Sequence, residues 1–236
     1  CKTPMAKSIT KRTLVGFREA GVNTRYFEDL INQIKSKPQN FLAKIKKGKT
    51  YWNTNNTDDM KFNAIVGNPP YMEMDGGAQA SASPIYNRFV DIAKSIKPEY
   101  VSMIIPSRWF AGGKGLQEFR AEMLSDNRMR KLVDFESASE VFPGVDIAGG
   151  VCYFLWERDT QGPCEITSFY EGKPVISVRS LNEFPTFIRN SQAVPIIRKI
   201  LAKNENNNKR LNERVSSRKP FGLPSNYAPK SKGVPC

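Results

Sequence analysis

Four consecutive residues, Asn68-Pro69-Pro70-Tyr71, combine groups that could hold an aromatic amine for reaction. An exocyclic amine on an aromatic ring is a poor nucleophile because its lone pair is delocalised into the ring. Two acceptors that bind its two N–H groups would localise that lone pair, and the Asn68 side-chain oxygen and the Pro69 carbonyl could be those acceptors. Consecutive prolines fix φ and remove competing N–H donors, so the carbonyl keeps its direction. Tyr71 offers a flat ring on which a base extruded from a duplex could stack, a contact of roughly 1–3 kcal/mol.

The residues before this motif favour the chemical interpretation over the alternative of a rigid surface turn. The short apolar run 62–66 predicts a buried parallel strand that ends abruptly at Gly67. Ligand sites in open α/β sheets lie at the carboxyl ends of the strands. The motif therefore follows the kind of strand end at which a site is expected.

The remaining pattern predicts an open α/β sheet with helices on its faces. Two short helices, broken at Pro38, are predicted within 27–47, and residues 50–60 are predicted to form a loop. Pro84 is predicted to start a helix, and Leu116 to Leu124 has a helical pattern. The predicted strands after the motif are 100–105, 131–135 and 151–156, followed by 164–169 and 175–178 around a turn at 171–174. The polar segment 204–210 is predicted to be a linker or an exposed loop.

The charge of the chain is concentrated at its two ends. The net charge is +13, of which residues 1–60 contribute +7, residues 61–160 contribute −2 and residues 161–236 contribute +8. A near-neutral centre between basic flanks suits an enzyme core whose margins bind a polyanion such as nucleic acid, and the alternative is a merely soluble, lysine-rich surface.

Other residue types exclude several classes of site. The chain has no histidine, and its four cysteines form no CxxC pair, which argues against a zinc site or a histidine-based triad, so no metal is expected. Reduced thiols in a cytoplasm are the expected state of the cysteines. No apolar run approaches the roughly 20 residues that span a bilayer.

The Asn68-Pro69-Pro70-Tyr71 motif resembles the signature of DNA amino-methyltransferases, in which Asp, Asn or Ser precedes Pro-Pro and an aromatic residue. A second segment, Glu140-Val141-Phe142-Pro143 before Gly149-Gly150, is similar to a later motif of that family, whose aromatic residue contacts the flipped adenine. The alternative for Phe142 is an ordinary core residue. The order of these segments, followed by a basic C-terminal segment, resembles the Eco57I-like branch of restriction–modification adenine methylases, which has the gamma-type motif order.

The resemblance implies a partial Rossmann-like methyltransferase sheet with helices on both faces, divided along the chain into three parts. Residues 1–55 would be a basic helical segment, 56–160 the catalytic half of the domain and 161–236 the start of a target-recognition region. The implied activity is transfer of a methyl group from S-adenosylmethionine to adenine N6 of double-stranded DNA, in the cytoplasm of a bacterium or archaeon. Asn68 and Pro70 would also contact the cofactor, and four basic residues would contact DNA: Arg108, Lys114, Arg179 and Arg214. For the segment 107–115, a plain flexible connection is the alternative.

The sequence departs from the family in the cofactor site. The family binds S-adenosylmethionine through an early glycine-rich turn, and none is found upstream of Asn68. The chain is therefore expected to lack the N-terminal cofactor-binding half, either as a fragment, which the Cys1 start favours, or because a separate polypeptide supplies that half, or as an inactive remnant. Two other functions stay open: methylation of protein glutamine or RNA amines, and a non-catalytic DNA-binding or specificity fragment.

Overall fold

The computed structural model describes residues 5, 24, 25, 27–47, 59–73, 82–113 and 115–203. The chain divides into two compact units, residues 1–191 and residues 192–236. The first unit starts with two short helices, α1 (Leu30–Ser36) and α2 (Pro38–Lys46). Pro38 opens α2 because a helix leaves the first backbone N–H groups unbonded, so proline costs nothing there. The predicted break at Pro38 is confirmed.

A six-stranded mixed sheet forms the centre of the first unit. Its strands in spatial order are β1 (Ala64–Gly67), β4 (Tyr100–Pro106), β6 (Val151–Glu157), β5 (Met129–Phe135), β7 (Cys164–Tyr170) and β8 (Lys173–Arg179). The pairs β1–β4 and β5–β7 are parallel, and the other three pairs are antiparallel. A separate two-stranded ribbon pairs β2 (Met72–Glu73) with β3 (Ser83–Pro84).

The parallel pairing of β1 and β4 confirms the direction predicted for the strand before the motif, but not its burial. β1 is an edge strand, and Val66 is 79% exposed. The strand also begins two residues later than predicted, at Ala64. The α/β class is confirmed by the strands and helices together.

Two helices pack on one face of this sheet. They are α3 (Tyr86–Ser95) and α4 (Gln117–Ser125), and a short 3-10 helix (Ser107–Phe110) lies between them along the chain. Their apolar side chains share a core with alternate residues of the central strands, such as Val101, Met103 and Phe154. On the opposite face Tyr153 is 42% exposed, and its neighbour Phe135 stacks on Phe169 at a centroid distance of 4.8 Å. Helices on both faces were predicted, and in the described residues of the first unit the core-forming helices lie on one face.

Helix α3 also has a second apolar side, on which α1 and α2 pack. Ile34, Phe41, Leu42 and Ile45 form this smaller cluster with Ile92 of α3. The helix therefore joins two cores, which explains why its apolar residues are spread more widely than a single stripe. Helix α3 begins at Tyr86 rather than at Pro84, because Pro84 pairs with Met72 in the two-stranded ribbon.

The predicted division of the chain at residue 160 falls inside the first unit. Strand β7 pairs in parallel with β5, and β8 follows β7 as an antiparallel edge strand, so the sheet continues past that position. The described part of the second unit is one helix, α5 (Ala193–Lys203), with Ile196 and Ile200 exposed. In the ranges given above, none of the helices is long and apolar enough to cross a bilayer. The predicted linker 204–210 lies outside the described residues.

Asp126 joins helix α3 to the start of β5 and the end of β6. Its carboxylate accepts hydrogen bonds from Lys94 Nζ at 3.0 Å, Trp156 Nε1 at 2.9 Å and Arg128 Nε at 2.7 Å. Burial by itself would raise the pKa of Asp126, but the hydrogen bonds of Arg128 and the charge of Lys94 outweigh it and hold that pKa well below its ordinary value.

Asp126→Asn should lower the free energy of unfolding at pH 7 by about 2 kcal/mol, because three donors lose a charged acceptor. Since the folded-state pKa is depressed, this stabilisation is complete well above the unfolded value of about 3.9 and is lost as the pH falls below it. Urea denaturation of both proteins at pH 7 and pH 3 should therefore show a difference that shrinks in acid. Asp159→Asn, which removes an exposed partner of Arg158, is the matched control. An equal difference at both pH values would contradict this role.

Candidate active site

The sequence motif lies where four chain segments meet at one edge of the sheet. Strands β1, β4 and β5 end there, and β6 begins there, as the pairing of Val151 with both Pro106 and Phe135 shows. The parallel register of β1 and β4 places Gly67 beside Met103, so the segment after β1 leaves the sheet at this edge. The predicted position of the motif at a strand's carboxyl end is confirmed.

The segment 68–71 is the candidate catalytic loop, and it is held at both ends. Strand β1 fixes its start, and at its end the Tyr71 carbonyl accepts a hydrogen bond from Ile85 N at 3.1 Å. The next residues form β2, which pairs with β3 directly before helix α3. A further ion pair joins Glu73 of β2 to Lys35 of α1 at 2.6 Å. Pro69 is buried, whereas Asn68 is exposed at the end of the strand.

A cavity of about 380 Å³ opens beside this loop, within the volume range typical of small-molecule pockets. Three groups of residues line it. The first comes from the catalytic loop and the ribbon after it, and includes Tyr71, Met72 and Pro84, with Tyr86 of α3 beneath them. The second comes from the end of β4 and the segment after it, namely Pro106, Arg108, Gly113 and Leu116, and the third is Asp146, Ile147 and Ala148 from the loop between β5 and β6.

Two tyrosine hydroxyls are buried next to this cavity. Neither Tyr71 Oη nor Tyr86 Oη has a hydrogen-bond partner among the described residues. Burial, and secondarily the neighbouring Cys152 thiol, raises the pKa of both phenols, so both remain protonated. Burial raises the pKa of Cys152 itself to about 12, which keeps it an unreactive thiol. The two phenols and the Cys152 thiol are therefore neutral.

A buried carboxylate lies beside the same sheet edge. The Asp134 side chain is 1% exposed and accepts two hydrogen bonds from Arg189, from Nε at 2.7 Å and from Nη2 at 2.8 Å. Ser107 Oγ donates a third at 2.6 Å. Arg189 Nη1 also donates to the Gly149 carbonyl at 2.9 Å. In the described part of the chain, no group of three histidine, cysteine, aspartate or glutamate side chains could hold a metal ion.

The structure brings some of the predicted site residues together and leaves others apart. Tyr71 and Arg108 line one cavity, while Asn68, Pro69 and Pro70 lie beside it in the same loop and are not part of its lining. Phe142 is half-buried in the loop that supplies Asp146, but it does not line the cavity. Its role in base binding stays a prediction.

The four predicted DNA-contacting residues have different outcomes. Arg108 is exposed at the cavity, and its contact with DNA stays a prediction. Lys114 and Arg214 lie outside the described residues. Arg179 is 4% exposed, stacks over the Phe187 ring at 4.9 Å and donates to the Ile188 carbonyl at 2.6 Å. The prediction that Arg179 contacts phosphates is wrong, because packing in the core withdraws its guanidinium from the surface.

The sequence alone did not predict that Tyr86 and residues 146–148 would line the cavity. Tyr86 lies in the helical segment predicted after Pro84, and nothing in its spacing distinguishes a cavity residue from a core residue. Residues 146–148 follow the Phe142-Pro143-Gly144 turn and carry no motif of their own. The two glycines that follow them were a usable signal, since both have positive φ, +90° at Gly149 and +77° at Gly150.

Comparison with known proteins gives a family match over most of this unit. A family model described as "Eco57I restriction-modification methylase" matches residues 1–142. An "Uncharacterized adenine-specific methylase" of Mycoplasma pneumoniae is 31% identical over 141 residues, which is 57% of this chain and 33% of that protein. The chain thus spans about a third of the length of this relative.

Solved structures show more distant likenesses. The type I restriction–modification methyltransferase subunit of Streptococcus thermophilus is 11% identical, with a TM-score of 0.35, and the match covers 63% of this chain and 33% of that one. The M protein of the type I restriction enzyme EcoKI is 12% identical, with a TM-score of 0.31 and coverage of 49% and 28%. Both scores are below 0.5.

Gly150→Ala should destabilise the protein more than an ordinary change at a left-handed glycine. A Cβ at Gly150 would lie 2.0 Å from the Phe135 carbonyl oxygen, so the backbone of one of the two segments would have to move. Gly172, with a φ of +74°, has open space around it and is the matched control. Gly172→Ala should cost about 1–2 kcal/mol for backbone strain, and Gly150→Ala about 1–3 kcal/mol more. Equal losses in urea denaturation would mean that the contact between β5 and the start of β6 is looser than described.

Proposed function

Because this chain belongs to the Eco57I restriction–modification methylase family, we propose that it is the catalytic part of an enzyme that methylates adenine N6 in double-stranded DNA. One observation carries the proposal: the catalytic loop leaves the sheet at the carboxyl end of β1, and its Tyr71 lines a cavity of about 380 Å³. This combines a polar, proline-stiffened loop with an apolar space for a flat ring, at the sheet edge where α/β enzymes bind ligands.

The proposed chemistry depends on positioning. The side-chain oxygen of Asn68 and the carbonyl of Pro69 each accept one N–H of the adenine amine, which turns the nitrogen lone pair out of the ring plane. Pro69 is buried and Pro70 half-buried, so the backbone that carries these acceptors cannot readily rotate. A bond then forms between N6 and the methyl carbon, the bond from that carbon to its donor breaks with its electron pair left on the donor, and N6 loses one proton to solvent water. This mechanism requires no dedicated general base on the protein.

Tyr71 supports the base from the side. Its ring is half-buried, and its hydroxyl is enclosed beside the cavity floor. The enclosed end holds the ring at a fixed angle, so one face can stack on an extruded base without first being ordered. Base extrusion is needed because the amine cannot be approached inside a stacked duplex.

S-adenosylmethionine is the proposed methyl donor, and when bound it supplies an electrophilic methyl group. The described residues fit only its methyl-bearing end. Asn68 and Pro70 lie at the open end of β1 and are the proposed contacts there. None of the described strands is followed by a glycine-rich turn of the type that would hold the rest of the cofactor. We therefore propose that residues outside the described ranges, or a second polypeptide, supply that part of the pocket.

Charge supports DNA as the substrate. The net charge of +13 comes entirely from the two ends of the chain, and Arg108 is exposed where an extruded nucleotide would enter the cavity. A modification enzyme acting on bacterial or archaeal DNA would work in the cytoplasm, where Cys152 and Cys164 remain the free thiols that the structure shows.

Asn68→Ala should lower the rate of methyl transfer by roughly 100-fold or more, as the loss of one preorganised polar contact does in other enzymes. Asn68→Asp keeps an acceptor oxygen and should retain part of the activity. The assay measures labelled methyl transferred from S-adenosylmethionine to unmethylated DNA by the intact protein, with RNA and a glutamine-containing protein substrate in parallel. Asn63→Ala, an exposed asparagine at the other end of the same strand, is the matched control. Normal turnover by Asn68→Ala would refute the mechanism.

Tyr71→Phe and Tyr71→Ala should separate the ring from the hydroxyl. The hydroxyl has no described hydrogen-bond partner, so its removal should leave both DNA affinity and stability nearly unchanged. Loss of the ring should weaken binding by about 1–3 kcal/mol, chiefly for DNA whose target adenine is mismatched and therefore easily extruded. Equal losses on matched and mismatched DNA would instead identify Tyr71 as a packing residue.

A further inference from the structure

We infer that Arg189 is a positioning residue, which holds two of the three cavity walls in place from a segment beyond the family match. The family model ends at residue 142, and Arg189 follows the last strand of the sheet. Its guanidinium nevertheless reaches back to the sheet edge that carries the catalytic loop. The structural part of this inference stands alone, and its effect on substrate binding rests on the proposed function.

The hydrogen bonds around Arg189 form a closed ring. Arg189 binds both Asp134 carboxylate oxygens and the Gly149 carbonyl. Ser107 binds Asp134 through its hydroxyl, and its backbone N donates to the Gly150 carbonyl at 3.0 Å. All of these hydrogen bonds are short, and each one joins two different segments of the chain.

Two cavity walls are attached directly to this ring. Pro106 and Arg108 flank Ser107, and Ala148 precedes Gly149, so three lining residues are immediate chain neighbours of ring members. The catalytic loop is held separately, by Ile85 and the two-stranded ribbon. Arg189 thus controls how far the walls carrying Arg108 and Ala148 stand from Tyr71.

The chemistry of the ring explains why an arginine is required. A carboxylate that is 1% exposed needs a paired cation, and only a planar guanidinium can bind both carboxylate oxygens while a third N–H reaches another acceptor. Arg189 also lies over the Phe110 ring at 5.5 Å, which fixes its plane. A lysine would keep the charge but could not make all three contacts.

Arg179 provides a matched comparison within the same segment. Arg179 is buried, and it holds residues 187 and 188 through the Phe187 ring and the Ile188 carbonyl. Neither Phe187 nor Ile188 lines the cavity. If Arg189 acted only by keeping this segment folded, replacing Arg179 should have the same effect on the cavity.

The test compares Arg189→Lys with Arg179→Lys in the intact protein by hydrogen–deuterium exchange and thermal denaturation. Arg189→Lys should speed exchange about tenfold in residues 144–149 and 107–110, with exchange in strands β4 and β6 unchanged. Arg179→Lys should leave both wall segments protected. The inference would be overturned if the exchange rate in residues 144–149 were unchanged in Arg189→Lys. It would also be overturned if that rate changed equally in both variants.

Binding of a defined probe gives the functional readout. A short duplex with 2-aminopurine opposite an abasic site presents an easily extruded purine, and its fluorescence reports insertion into a pocket. Arg189→Lys should raise the dissociation constant about tenfold for this duplex and not for a fully paired one. Equal weakening on both duplexes would overturn a role at the cavity. Unchanged methyl transfer in Asn68→Ala would refute the proposed function but leave the exchange result intact.

Ser107→Ala keeps the test decisive if Arg189→Lys does not fold. This change removes the hydrogen bond from the Ser107 hydroxyl to Asp134 and leaves the Asp134–Arg189 pair in place. It should speed exchange in residues 107–110 with little change in melting temperature, since only one hydrogen bond is lost. Full protection of that segment in Ser107→Ala would refute the ring as the element that holds the wall.

Discussion

A carboxylate removed from water must be paired, and that requirement at Asp134 connects the parts of this domain. Its partners come from the segment after β4 and from the segment after β8, which are far apart in the sequence. The edge of the sheet that carries the candidate site is therefore joined by hydrogen bonds to Arg189. This links that edge to a part of the chain that the family match does not reach, and the sheet itself continues past residue 160.

The sequence was most informative where local chemistry and chain geometry agree. The apolar run 62–66 predicted a parallel strand, and the amide, prolines and aromatic ring of Asn68-Pro69-Pro70-Tyr71 predicted a site at the carboxyl end of that strand. The apolar runs that became β4, β5 and β6 also predicted strands within two residues of their observed bounds. The charge distribution suited a polyanion-binding protein but left a merely soluble, lysine-rich surface open, and DNA binding stays a prediction.

Long-range pairing accounts for what the sequence did not predict. Arg179 and Arg189 are both arginines in a basic C-terminal segment, so charge alone suggested a DNA-contacting surface for that region. Arg179 is buried over the Phe187 ring, and Arg189 pairs with Asp134, which lies 55 residues earlier in the sequence. The same applies to Pro84, which has the right position to start a helix but pairs with Met72 across eleven intervening residues. Residues 146–148 could not be assigned to the cavity without knowing that β6 lies between β4 and β5.

The central claim is that the cavity beside Tyr71 receives an adenine removed from the duplex. The most direct measurement is a structure of the intact protein bound to duplex DNA that contains its target adenine. The account predicts an extruded adenine with its ring against Tyr71 and its N6 amine between the Asn68 side-chain oxygen and the Pro69 carbonyl. A duplex with every base stacked and the cavity filled by protein, or an adenine held elsewhere on the chain, would contradict it.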